Sequence, residues 1–293
     1  AAQAEAEAAK TAADRAKELA ARARAEASEA NAALVEAQEQ LAAAPVPEAP
    51  AAQVQLSNAE PDILEANGKT FGRYFALVVG NSEYTHLANL PTPAADSDRL
   101  AEVLQDRYGF QVRRLQNGDN VALLRALNAL NDVLEEDDNL LIYYSGHGSR
   151  RSAGAFDSGY WLPVNAERAQ DTFWLPTEQV AGHLARLKAK RVMVVADSAF
   201  AGMLADNPAF LLATDPNQLR SDAYVNLRLP NRSRLLMTSG VDAPVPRLKA
   251  GFTSVFADAL IGALEKNQSV LTAPALFLDL LDELAVRQPE LDP

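Results

Sequence analysis

Few side chains in this sequence can carry chemistry: it has three histidines and no cysteine. His147 stands between two glycines in the run Tyr143-Tyr144-Ser145-Gly146-His147-Gly148. An imidazole flanked by glycines is sterically open and suited to general acid or base work. A turn that merely tolerates an unusual backbone angle would read the same way. The second cluster is Val194-Val195-Ala196-Asp197-Ser198-Ala199-Phe200-Ala201-Gly202. An Asp leaving a buried strand needs a partner, because an uncompensated buried carboxylate is costly. Helix capping accounts for Ser198 but poorly for Asp197. His86 falls in a polar loop and His183 on a helix. Neither has a His or Cys neighbour at ligand spacing, so both read as structural or surface residues.

These two clusters must be held by strand ends, and the chain alternates strand-like and helix-like segments from about residue 70 onward. Strands are predicted over Tyr74–Val79, Phe110–Leu115, Leu140–Tyr144, Arg191–Ala196 and Arg234–Thr238. Helices are predicted over Ala94–Tyr108, Asn120–Leu134, Thr177–Leu187, Thr253–Lys266 and Ala273–Val286. A loop holding Tyr160-Trp161-Leu162 and an irregular stretch from Asp206 to Arg232 complete the pattern. Such alternation is the signature of an α/β fold with a mainly parallel sheet flanked by helices. In open parallel sheets, ligands and catalytic groups collect at the carboxyl ends of the strands. His147 and Asp197 both fall there.

Residues 1–44 are close to half alanine and hold neither Gly nor Pro, which favours a helix. Ala2, Ala9, Ala16, Ala23, Ala30, Ala37 and Ala44 recur every seven residues, and Ala6, Ala13, Ala20, Ala27, Leu34 and Leu41 form a second row. That a/d pattern predicts a helical arm that self-associates or docks onto the body. Alanine knobs bury little area, so an isolated dimer of the arm would be weak. Residues 45–69, with Pro45, Pro47, Pro50 and Pro61, read as an extended linker, and the boundary of the 70–293 body is placed near Gly68.

The chain has 293 residues, 27 basic against 39 acidic side chains, and a formal net charge of −12. The acidic balance argues against a nucleic-acid partner, whose phosphates need clustered Lys and Arg. Absence of cysteine removes disulfides, thiolate zinc sites and iron–sulfur clusters, and, taken literally, a cysteine nucleophile. No apolar run approaches the roughly 18–20 residues of a membrane helix, so no membrane span is expected. A targeting leader is not visible either. High alanine content and the preference for Arg over Lys suggest a bacterial source, with cytoplasm and periplasm left open.

In combination, these pieces show a resemblance. The body from about Arg73 onward resembles the caspase-like cysteine peptidases, closest to the bacterial metacaspase-like (orthocaspase) branch. The matching segments are YFALVVGN (74–81), LPTPAADSDRL (90–100), LIYYSGHG (141–148), WLPV (161–164), VVADSAFAG (194–202), LLMTSG (235–240) and SVFA (254–257). They fall in family order over roughly three quarters of the chain. The interval from His147 to position 199 agrees with the separation of about 50 residues between His and Cys in caspases. What the resemblance implies is a caspase-like sandwich in which His147 activates a nucleophile at position 199.

That position holds Ala199, and a methyl group cannot replace a thiolate. Ser198, one residue off, is no obvious substitute. The molecule as written is therefore expected to be inactive, either as a Cys-to-Ala variant of a peptidase or as a natural pseudoprotease that binds basic peptides. The resemblance further implies Gly148 and residue 199 as backbone oxyanion donors. It also implies an acidic S1 pocket for Arg or Lys, built from Asp96, Ser145 and Asp197. Two carboxylates suit a guanidinium and repel an acidic residue; helix-dipole stabilisation is the plainer reading of Asp96.

No cofactor is expected. Calcium would have to draw on Asp157, Glu167, Asp171 and Glu178, which are dispersed, whereas the ion wants about 6–8 oxygens around one point. The stretch holding Arg220, Arg228, Arg232 and Arg234 resembles an intersubunit loop open to self-cleavage, and reads equally as an ordinary surface loop. Arg15, Lys17, Arg22 and Arg24 of the arm could occupy an acidic S1 site. A generic nucleotide-binding domain finds no support, since no G-x-G-x-x-G or P-loop pattern follows any predicted strand.

Overall fold

The computed structural model describes residues 55–56, 62–66, 68–153, 156–199, 217–239 and 253–287, all within the unit Ala52–Pro293. The expected arm 1–44, and the segments around Phe200–Gly202 and Gly240, lie outside the described residues.

Strands β4 (Tyr74–Gly80), β6 (Asn139–Ser145) and β10 (Arg191–Asp197) are apolar runs buried along almost their whole length, as central parallel strands must be. With β5 (Gln111–Gln116), β11 (Ser233–Thr238) and the two-residue β1 (Gln55–Leu56), they form one sheet of order β1-β5-β4-β6-β10-β11. Five of the strands run parallel, and β1 closes the edge antiparallel to β5. Strand pairing therefore begins inside the proline-rich stretch, which also holds β2 (Leu64–Ala66) and leads into β3 (Lys69–Gly72).

Side-chain alternation along each strand feeds two cores. On one face, Leu77, Val79, Ile142, Tyr144, Val194 and Ala196 pack under α2 (Asn120–Val133) and α3 (Thr177–Arg186). On the other, Ala76, Val78, Leu141, Tyr143 and Val195 pack under α1 (Pro93–Tyr108), α5 (Val255–Lys266) and α6 (Ala273–Arg287). Helix α1 shows why the sequence obeys. Pro93 opens it, Leu100 and Leu104 share one face, and Gly109 ends it with φ 67, a left-handed conformation that glycine adopts freely. Each of those buried leucines contributes about 1.5–3 kcal/mol of transfer free energy.

Two segments differ from the sequence expectation. The predicted loop around Tyr160-Trp161-Leu162 is a separate antiparallel sheet of β7 (Gly148–Ala153), β8 (Phe156–Trp161) and β9 (Leu175–Pro176). Its first strand reads Gly-Ser-Arg-Arg-Ser-Ala and has no apolar alternation to betray it. Instead it is tied by a bidentate pair, Arg150 to Asp157, with both hydrogen bonds at 2.7 Å. The stretch predicted to be irregular up to Arg232 contains a short 3-10 turn, Gln218–Arg220, and helix α4 (Asp222–Arg228), capped by the Ser221 side chain.

The arginines of that stretch are committed to structure. Arg220 pairs with Asp279 at 2.5 Å, and Arg228 sits 5.5 Å from the centre of the Tyr224 ring. Arg232 donates to Leu187 O at 2.8 Å, and Arg234, in β11, donates to Ala189 O and Lys190 O at 2.9 Å each. Among the described residues, no helix is long and apolar enough to cross a membrane.

Candidate active site

The parallel register sets the site. Gly80 pairs with Ser145, and Ser145 pairs with Asp197, so β4, β6 and β10 end level with one another. His147 and Ala199 each lie two residues beyond those ends, on neighbouring strands. Their backbones touch through Gly148: a Cβ there would stand 1.9 Å from the Ala199 carbonyl oxygen and 3.3 Å from Ser198 Oγ. No side chain larger than hydrogen fits at that point.

His147 is held on every side. Its N–H donates to Tyr84 Oη at 2.8 Å, while its carbonyl accepts from Tyr144 Oη at 2.9 Å and from Leu162 N at 3.0 Å. The Tyr84 ring meets the imidazole edge-to-face at 4.6 Å. Gly146 keeps this approach open, since a Cβ on it would come within 2.7 Å of Tyr84 Oη. Nε2 of the imidazole lies 2.8 Å from Ala88 O. A carbonyl can only accept, so in the neutral ring Nε2 carries the proton and Nδ1 the lone pair.

The Leu162-to-His147 hydrogen bond also fixes Gly148. It makes Gly148 and Trp161 the non-hydrogen-bonded pair of the β7–β8 ladder, which turns the Gly148 N–H away from β8.

Asp96 and Asp197 converge on Ser254. The Ser254 N–H donates to Asp96 Oδ2 at 2.9 Å, its hydroxyl donates to Asp197 Oδ2, and the Thr253 hydroxyl donates to Asp96 Oδ1. Ser254 also caps α5, accepting from Ala257 N at 2.8 Å. Both acids are buried, at 0% and 4% exposure. Burial pushes Asp197 up to about 6, only partly offset by the Ser254 donor, and the neighbouring Asp96 charge raises it further. Burial likewise raises Asp96 against the opposing pull of Thr253 and Ser254.

Asp197 Oδ1 has no hydrogen-bond partner, nor do Tyr143 Oη, Ser198 Oγ and Ser239 Oγ. The Tyr143 and Ser239 hydroxyls lie close enough to favour the Asp197 carboxylate without forming well-shaped hydrogen bonds. Ser145 is buried beside Asp197 in register. A buried carboxylate oxygen without a well-shaped hydrogen bond is a strong acceptor.

The structure thus brings His147, Gly148 and Ala199 into one group and Asp96, Ser145 and Asp197 into another at the same strand ends. Sequence reasoning missed Ala88, Tyr84, Thr253 and Ser254. Ala88 acts through main chain, which leaves no signal in residue type; Ser254 lies in the matching segment SVFA (254–257), but its hydrogen bonds to two distant acids leave no local signal. His86 is exposed, and His183 is buried on α3 with Nδ1 2.8 Å from an Arg186 nitrogen.

The four acids considered for calcium are each engaged elsewhere. Asp157 accepts from Arg150, Glu178 from Ser158 at 2.7 Å and Glu167 from Gln170 at 2.5 Å, while Asp171 lies 3.6 Å from Arg151. Among the described residues, no group of three or more His, Asp or Glu converges. This donor set does not fit calcium.

The caspase domain family (Peptidase_C14) matches residues 73–290. No curated protein sequence matches the chain. Among solved structures, the chain resembles the crystal structure of protein GSU0716 from Geobacter sulfurreducens, with a TM-score of 0.51 and 16% identity. The likeness covers 75% of this chain and 91% of that one, and it concerns the fold.

Proposed function

The chain belongs to the caspase domain family, and on that premise we propose that it is a cysteine endopeptidase domain cleaving after Arg or Lys, with Ala199 at the nucleophile position. The observation that carries the specificity is the orphaned Oδ1 of Asp197 beside Asp96. A guanidinium satisfies that oxygen with charge-assisted hydrogen bonds, and a carboxylate in the same place is repelled. The buried pair is kept at the expense of stability, as specificity sites are.

With a thiol at 199, Nδ1 of His147 takes its proton and later protonates the leaving amine. The Ala88 carbonyl holds Nε2–H and so orients the ring through both steps. The Gly148 and residue 199 N–H groups receive the oxyanion. Without the thiol the chain binds and does not cut. Retention of His147, both glycines and both acids favours a Cys-to-Ala replacement over a protein whose machinery has drifted. The heptad rows of residues 1–44 support self-association; sedimentation of the whole chain and of a 51–293 fragment should then differ in oligomeric state.

The test is chemical labelling. An Ala199→Cys protein should form a covalent adduct with an electrophilic peptide bearing Arg at its reactive end, and Ala199→Cys/His147→Ala should label far more slowly. Equal labelling of the two would remove the His147 assignment.

A further inference from the structure

His147 also forms one wall of a cleft of about 230 Å³. Its other walls are Leu87, Ala88, Ser149, Leu162 and Trp174, together with the exposed Arg168. The cleft and the acid pair lie on opposite sides of the strand ends. Asp197 and Ser145 continue the face of the sheet that carries Val195 and Tyr143 beneath α1 and α5. Leu87, Leu162 and Trp174 belong instead to a satellite cluster with Tyr84 and Tyr160, in the region reached by the Tyr144–Trp161 stack.

Trp174 is braced by its neighbours. Trp174 Nε1 donates to Glu167 O at 2.8 Å, its ring meets Tyr160 edge-on at 5.4 Å, and Arg151 lies 4.7 Å from its centre. Arg150 and Arg151 are engaged with Asp157 and Asp171. Arg168 differs from both: it forms no hydrogen bond or ion pair with any described residue. A slot walled by Leu87, Leu162 and Trp174 and carrying an uncommitted guanidinium matches a side chain with a methylene stem and a terminal carboxylate.

Chemistry says which part of a peptide reaches it. The imidazole that protonates the leaving amine must stand on the leaving-group side of the scissile bond. With Arg or Lys in the acid pocket, the segment beyond that bond passes His147 and enters this cleft. We propose that the cleft of Leu87, Leu162, Trp174 and Arg168 is a leaving-side subsite selecting an acidic residue, Glu foremost, within the first two positions after the scissile bond. This rests on the peptidase reading and adds a second, oppositely charged determinant to it.

The chain as it stands is suited to the test, because Ala199 lets peptides bind uncut. Fluorescence anisotropy should compare labelled peptides identical up to a central Arg and carrying Glu, Ala or Lys in the next two positions. A fourth peptide replaces the central Arg by Asp. At low salt the Glu peptide should bind about three- to tenfold tighter than the Lys peptide, a modest ratio because Arg168 is exposed, and the gap should narrow as salt rises. Arg168→Glu should reverse the order and Arg168→Gln should abolish it, so the outcome does not hang on one variant folding. Equal binding of the Glu, Ala and Lys peptides, with the Asp peptide still excluded, overturns the subsite and leaves the peptidase reading standing. Binding of the Asp peptide as tightly as the Arg peptides overturns the Arg/Lys preference on which this subsite rests.

Discussion

Nε2 of His147 lies 2.8 Å from the carbonyl oxygen of Ala88, so the group that orients the imidazole is main chain. The neutral ring should therefore be the Nε2–H tautomer, with Nδ1 free to act as the base. Nitrogen-15 NMR of ring-labelled neutral His147 reads this directly. A dominant Nδ1–H form would mean that the ring faces the nucleophile position in the wrong state.

Gly148 should tolerate no substitution. A Cβ 1.9 Å from Ala199 O forces the two strand-end turns apart. Gly148→Ala should lower stability by about 1–3 kcal/mol, the scale of overpacking, measured by denaturant unfolding. In an Ala199→Cys background it should also reduce kcat by at least about 100-fold, because the oxyanion donor moves with it.

Asp197 sets opposite demands on stability and binding. Its pKa of about 6 when folded, against 3.8 as a free side chain, means the folded state favours the protonated form. That contribution is full below pH 3.8 and is lost as pH rises through about 6. The difference is roughly 3 kcal/mol at neutral pH. Asp197→Asn should therefore raise the melting temperature at pH 7.5 while weakening affinity for Arg peptides. A variant that loses both stability and affinity would show instead that the carboxylate holds the fold together.

Binding of Arg peptides should follow the same titration with the reverse sign. Protonation of Asp197 removes a charge from the pocket, so affinity should fall as pH drops from 7.5 to 5. The bound guanidinium pulls the transition below 6 in the complex. Asp197→Asn should bind weakly with a flatter profile, and calorimetry across the range measures both.

How much of this was legible in the sequence follows from which residues announce themselves. Buried parallel strands such as Leu140–Tyr144 and Arg191–Ala196 are apolar runs whose limits the structure moves by a residue or two. His147, Asp96 and Asp197 stand out because glycines, or burial of a charge, need explaining. Strand β7 did not, because its arginines and serines are paired by backbone and by Arg150–Asp157, with no apolar period. Ala88 and Ser254 were hidden for a related reason. One acts through a carbonyl that every residue has, and the other combines an ordinary helix cap with hydrogen bonds to two acids distant in sequence. Arg168 becomes informative only once the other arginines around it are seen to be paired.

We propose that an acid pair and a His-activated position at the ends of β6 and β10 make this a peptidase for basic residues. Steady-state cleavage by the Ala199→Cys protein of two reporter peptides, identical except for Arg or Asp before the scissile bond, tests it most directly. Cleavage should follow Arg, with kcat/KM for the Asp peptide lower by at least about 100-fold, the scale of a like-charge penalty of several kcal/mol. No cleavage of either peptide, or equal cleavage of both, would contradict it.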